Sequence, residues 1–191
     1  MSTDLFTNMS VGGYISELSR DKGLSQSDVA RECGLSRQIL SYIISGERKM
    51  TIPQALRLES LFSLKSGTLL KMQEEETVRI YKEKLRHSLV EKLLKSNSFW
   101  SYNSVTEGDI SDEDIIENTF IHLDMDDISR LFELYTRKFV RKVWEDRMAG
   151  QGDYLDSLNM MIAQYYFGIS NPERFLRKKE ISHIKKITAY A

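Results

Sequence analysis

The sequence predicts an all-α protein, on three observations. The apolar residues recur at three- and four-residue steps almost throughout. Val, Ile and Thr rarely alternate with polar residues, and no Asn-Gly or Asp-Gly hairpin turn occurs. The only two prolines, Pro53 and Pro172, both stand where a helix would begin. The length, 191 residues at 41% apolar, is enough for one or two domains with real cores.

In the amino-terminal part, Tyr14, Ile15 and Leu18 share one helical face, and Gly23 ends that helix. Ser25 and Asp28 have capping-box spacing for a short second helix, Gln26 to Cys33, stopped by Gly34. Ser36 caps a third, Arg37 to Ile44, stopped by Gly46. Thr51, with Pro53 in the first turn and Gln54 as reciprocal partner, opens a fourth. It runs to Phe62 with Ala55, Leu58, Leu61 and Phe62 facing inward. Ser66-Gly67 breaks the pattern, and Thr68 to Gln73 adds a turn or two.

From Glu75 to Lys95, Val78, Tyr81, Leu85, Leu89 and Leu93 form a stripe on a helix roughly 30 Å long. Such a helix either links or dimerises, or docks on the amino-terminal bundle. Ser96 to Asp109, polar residues around Phe99, Trp100 and Tyr102, marks the domain boundary. Beyond it, Ser111 and Asp114 cap a helix carrying Ile115, Ile116 and Phe120. A second helix, from about Asp126 to Arg147, carries Ile128, Leu131, Phe132, Tyr135, Phe139 and Val143. After a Gly150–Gly152 turn, Tyr154 to Phe167 places Leu155, Leu158, Ile162 and Tyr165 inward, and Asn171-Pro172 starts a last helix into the basic stretch 177–186. The expected organisation is a DNA-binding domain over 1–73, a linking or dimerising helix over 74–97, and an acidic helical partner-binding domain over 98–191.

Charge is unevenly spread although the net is −1. Residues 1–72 carry nine basic and seven acidic side chains, whereas 96–191 carry twelve and sixteen. That split suits a nucleic-acid module joined to a unit with another partner. A single cysteine, Cys33, forms no intramolecular disulfide and builds no zinc site alone. It fits a small buried hydrophobe. MSTDLFTNMS has neither a basic nor an apolar leader region, and no run reaches the ~18 apolar residues of a membrane span. A soluble cytoplasmic protein with no membrane association is expected.

The informative segment is LSQSDVARECGLSRQILSYIISG, residues 24–46. Two short helices flank a glycine turn. Val29 and Ala30 of the first meet Ile39, Leu40 and Ile43 of the second, with Leu35 plugging the turn. Any two short amphipathic helices with a glycine turn share this outline, but here the residues left exposed are short and polar. In a helix-turn-helix the amino-terminal residues of the second helix enter the major groove. Gln26, Ser36, Arg37, Gln38, Ser41 and Tyr42 are therefore the candidate base-reading residues, with Arg37 suited to guanine and Gln38 to adenine. Ser25, Ser27, Arg48 and Lys49 are the candidate phosphate contacts.

Residues 11–73 resemble the phage-repressor (Cro/XRE) family, and within it the HigA/VapI-type antitoxins. The resemblance rests on Leu24-Ser25-Gln26, Gly34-Leu35-Ser36, Ser45-Gly46-Glu47-Arg48, Thr51 to Leu58, and Leu69-Leu70-Lys71-Met72-Gln73. It implies a five-helix lambda-repressor-like domain that binds a palindromic operator in double-stranded DNA as a homodimer, commonly at its own promoter, and neutralises a toxin encoded alongside. Unlike compact antitoxins of that kind, this chain continues about 118 residues past Gln73. Phe99-Trp100-Ser101-Tyr102, Val143-Trp144-Glu145 and Asn171 to Leu176 look similar to small bacterial proteins encoded beside nucleotidyltransferase-like toxins, which implies a toxin-binding role.

Residues 107–127 hold nine acidic side chains and no Lys or Arg. A two-metal nuclease needs clustered carboxylates, but these lie at two helix starts, where acids are favoured by the helix dipole. No catalytic residue, cofactor or metal is expected. His87 and His183 are most simply solvated, and a negative surface for a basic protein is the better use of the run. A ligand-sensing carboxy-terminal helical domain with an aromatic-lined pocket is the alternative.

Overall fold

The computed structural model describes residues 9–96 and 110–189; they form helices and turns, with no strand among them. The chain divides into two compact units, Met1–Tyr81 and Lys82–Ala191. The cluster Phe99, Trp100 and Tyr102 lies outside the described residues.

The amino-terminal unit contains α1 (Val11–Asp21), α2 (Gln26–Glu32), α3 (Arg37–Ile44), α4 (Ile52–Leu61) and the first turns of α5 (Thr68–Lys95). Its helix starts follow from the sequence. Ser10, Ser25 and Ser36 accept backbone hydrogen bonds from Gly13, Asp28 and Ile39 respectively. Gln54 Oε1 accepts from the Thr51 amide at 2.9 Å. The core is Val11, Ile15, Val29, Ala30, Cys33, Leu40, Ile43, Met50, Ala55, Leu58, Phe62 and Leu69. A carboxylate is set deep in this unit. The Glu59 carboxylate, 2% exposed, accepts from the amides of Gly67 and Leu69 at 2.9 and 2.7 Å and so caps the start of α5.

The expected break between Gln73 and Glu75 is absent, because Glu74, Glu75 and Glu76 are compatible with helix and nothing there interrupts it. The stripe expected on α5 is buried only in part. Leu69 packs into the amino-terminal core and Leu85, Leu89, Val90 and Leu93 into the carboxy-terminal one, while Val78 and Tyr81 are exposed.

The carboxy-terminal unit adds α6 (Asp112–His122), α7 (Met125–Leu134), α8 (Arg137–Arg147), α9 (Asp156–Met161) and α10 (Pro172–Ala189). The single helix expected from Asp126 to Arg147 is two. Tyr135 is extended at φ −118°, ψ 158°, and Thr136 caps α8 by accepting from the Phe139 amide. The apolar period runs across this kink, which is why the pattern hides it. A second departure concerns which tyrosine faces inward. A π-helical turn over Ile162–Tyr166 follows α9; Tyr166 is buried, in step with Leu155, Asn159 and Ile162, and Tyr165 is 68% exposed.

Candidate nucleic-acid interface

The inner faces of α2 and α3 are locked together. Val29, Ala30, Leu40 and Ile43 are at most 2% exposed, and Leu35 and Ile39 pack on them. The turn between the helices closes through Gly34 at φ +60°, where a side chain would be strained, and through the Leu35 amide donating to the Ala30 carbonyl at 2.8 Å. Arg57 of α4 completes it: Nη1 donates to the carbonyls of Cys33 and Gly34 at 3.3 and 3.4 Å. Cys33 is itself buried, and burial pushes its thiol above the usual range.

The outer face of α3 is exposed. Arg37, Gln38, Ser41 and Tyr42 are all exposed along it, and no acidic side chain interrupts the row. Gln38 Nε2 donates to Tyr42 Oη at 2.9 Å, which fixes the amide against the phenol one turn on. Ser36 stands at the head of the row, its oxygen accepting the cap bond from Ile39. At the start of α2, Gln26 and Ser27 are exposed. The Ser25 hydroxyl bonds the Asp28 carboxylate at 2.5 Å, and that bond, with Arg31, holds the carboxyl below its usual value. The structure thus gives Ser25 and Ser36 capping roles beside the DNA contacts expected of them.

Arg48 and Lys49 are exposed on the loop after α3. The loop is tied at both ends. The Arg48 amide donates to the Tyr42 carbonyl at 3.0 Å. On the other side, Gln73 of α5 accepts from the Met50 amide at 2.6 Å and donates to the Met50 carbonyl at 3.3 Å. Arg57 and Gln73 thus bond backbone atoms distant in sequence, which a periodic pattern does not mark.

Residues 17–69 match the helix-turn-helix family. The amino-terminal unit therefore carries a DNA-binding helix-turn-helix domain, with α2 and α3 as its two helices. No curated protein matches the chain, and no solved structure does.

Outside the helix-turn-helix, the acidic run is largely consumed within its own unit. Arg147 pairs with Asp114 and Glu117 at 2.6 and 3.2 Å, Arg86 with Asp112, and Lys92 and Arg130 with Asp127. Asp124 caps α7. Of the described members of the run, Glu113 and Asp126 are the ones left without such a role, so the negative surface expected there is much reduced. Among the described residues no three metal-ligating side chains converge, and no helix is long and apolar enough to cross a membrane.

These ion pairs make the carboxy-terminal unit acid-sensitive. Burial alone would raise Asp114, but the Ser111 hydroxyl and Arg147 hold it below its usual 3.8. Burial likewise opposes, and Lys179 and Arg141 outweigh it, at Glu145, ordinarily 4.5. The Asp127 amide lowers Asp124. A carboxyl depressed on folding contributes stability that is complete above its unfolded value and is lost as pH falls through its folded value. The unit's melting temperature should therefore be level at neutral pH and fall below about pH 4. Arg147→Met should flatten that acid limb, measured by circular dichroism at pH 7 and pH 3.

Proposed function

We propose that the protein is a sequence-specific transcriptional repressor that binds a palindromic operator as a homodimer. We further propose that it is the antitoxin of a bacterial toxin–antitoxin pair, autoregulating its operon and binding its toxin through residues 98–191. The observation that carries the DNA reading is the exposed, acid-free row Arg37, Gln38, Ser41 and Tyr42 on a helix whose opposite face is rigidly packed. Two such helices about 34 Å apart match successive major grooves, which is the basis for the dimer. The antitoxin role is supported by the resemblance of residues 11–73 and by the presence of a second helical unit.

The protein-binding reading is preferred to a ligand sensor because the carboxy-terminal aromatics pack on one another. Trp144 stacks on Phe167 and Phe175 at centroid distances of 5.1 and 5.8 Å, and Phe132 on Tyr166 at 5.5 Å. Clefts of about 240 and 260 Å3 beside α10 are lined instead by mainly polar and charged side chains such as Asp156, Arg177, Glu180, Glu145, Asp146 and Lys179.

The DNA reading is tested on duplex from upstream of the protein's own coding region. Arg37→Ala and Gln38→Ala are each expected to cost roughly 1–3 kcal/mol on the specific site and to relax base preference. Arg48→Ala should weaken specific and random DNA alike and lower the salt slope. Equal losses on both DNAs for all three variants would mean that α3 is not the reading helix. The antitoxin role is tested by co-expression with neighbouring genes. A stoichiometric enzyme-like partner supports it, and a homodimer alone leaves a plain repressor.

A further inference from the structure

We infer that Gln73 of α5 is a positioning residue for DNA binding: its side-chain amide clamps the Met50 backbone and so holds Arg48 and Lys49 against the phosphates. This rests on the DNA-binding reading above and concerns a residue outside both the helix-turn-helix and the residues expected to touch DNA.

Arg48 and Lys49 sit on a loop between two fixed points. One is the Arg48 amide on the Tyr42 carbonyl at 3.0 Å, which belongs to the recognition helix. The other is Met50, whose amide and carbonyl are both held by Gln73, at 2.6 and 3.3 Å. A primary amide accepts from a backbone N–H with one atom and donates to a C=O with the other, and Gln73 does both to the same residue. Side-chain packing does only part of this work. A groove of about 200 Å3 is lined by Arg48, Lys49 and Gln73 together with Val11, Ile43 and Ile80, so the loop is not packed solidly there. The loop's register therefore depends on Gln73 and on the anchored Met50 side chain, 5% exposed. One turn further along α5, Glu76 Oε2 accepts from the Val11 amide at 2.9 Å. The same helix thereby holds the start of α1 as well as the loop.

Long cationic side chains lose much rotamer freedom on reaching a phosphate, and a backbone fixed beforehand lowers that cost. Without the clamp, the cations remain present and charged but are no longer in place.

The test uses the full chain with Gln73→Met, which keeps length and helix propensity but neither donates nor accepts in the clamp. Operator affinity should fall roughly tenfold, and the salt slope should fall by about one to two, at about 0.9 for each phosphate no longer neutralised. The preference between specific and mutated sites should stay at the wild-type ratio, because α3 is untouched. In an Arg48→Ala/Lys49→Ala background, Gln73→Met should cost almost nothing further. A general loss of structure would instead reduce base preference and persist in that background. A second measurement is free of any folding defect: the Met50 amide of the wild-type protein, though in a loop, should be protected from hydrogen exchange. Two results overturn the inference alone: an unchanged salt slope in Gln73→Met while Arg37→Ala still loses specificity, or an unprotected Met50 amide. If the wild-type protein binds no duplex, the reading of the domain fails and this inference fails with it.

Discussion

Gly12→Ala is expected to destabilise the amino-terminal unit by about 1–3 kcal/mol and to weaken operator binding, although alanine is the better helix former. A Cβ on Gly12 would stand 2.0 Å from the Ile44 carbonyl oxygen, 2.7 Å from its carbon and 2.8 Å from its Cα. All three are backbone atoms at the end of α3, so no side chain can rotate out of the way. Relief requires α1 and α3 to separate by about an ångström, in a core where Val11, Ile15 and Ile43 are at most 6% exposed. The helix-propensity gain of up to about 1 kcal/mol is too small to offset that. Moving α3 also moves Arg37 and Gln38, so affinity should fall with stability. Gly13→Ala is the matched control. Its Cβ would meet only side-chain atoms, Met9 Cγ and Ser10 Oγ at 3.2 Å, which can adjust. Thermal melts and operator binding of the two variants decide the matter; equal behaviour would mean that α1 and α3 do not cross this closely in solution.

Gly12 also shows where sequence reading stops. A glycine inside a helical pattern signals something, but whether a partner backbone, a ligand or nothing requires it depends on a contact 32 positions away. By contrast, local chemistry was legible. The Ser25/Asp28 capping box, the glycine turn at Gly34 and the start of α3 at Arg37 each follow from residues within four positions of one another. The helix-turn-helix lies in that legible part, and the exposed row on α3 appears where the apolar period leaves it. Arg57, Glu59 and Gln73 were not legible, because each satisfies backbone groups eight to twenty-four positions away and nothing in a periodic pattern marks such a role. In the carboxy-terminal unit, the kink at Tyr135-Thr136 preserves the apolar period, and Tyr165 and Tyr166 stand three and four positions after Ile162, either of which a helical period allows. Hence the stripe on α7 and α8 was found but its break was not, and Tyr165 and Tyr166 exchanged places. The acidic run was visible as composition only; its pairing with Arg86, Lys92, Arg130 and Arg147 is tertiary.

Trp144→Ala should be the most damaging single change in the carboxy-terminal unit, at about 3–5 kcal/mol. Its indole is fully buried, stacked on Phe167 and Phe175, and its Nε1 donates to Asn159 Oδ1 at 2.8 Å. Asn159 in turn donates to the Met148 carbonyl at 3.0 Å, at the residue that caps the end of α8. Alanine therefore leaves a cavity between two aromatic rings and an amide oxygen buried without its donor. Trp144→Phe keeps an aromatic ring in the stack and loses the N–H and part of the buried volume, so it should cost less than alanine but at least the roughly 1–3 kcal/mol of one unsatisfied buried acceptor. Against a typical domain stability of about 5–15 kcal/mol, the alanine variant loses a fraction large enough to move urea unfolding visibly. Set beside Gly12→Ala, it tests the division of the chain into two cores. If residues 1–81 and 82–191 unfold independently, Gly12→Ala shifts one transition and Trp144→Ala the other, and operator binding follows only the first. If both variants shift one common transition, the two cores unfold as a single cooperative unit, and a partner bound to the second would stabilise the DNA-binding domain by mass action.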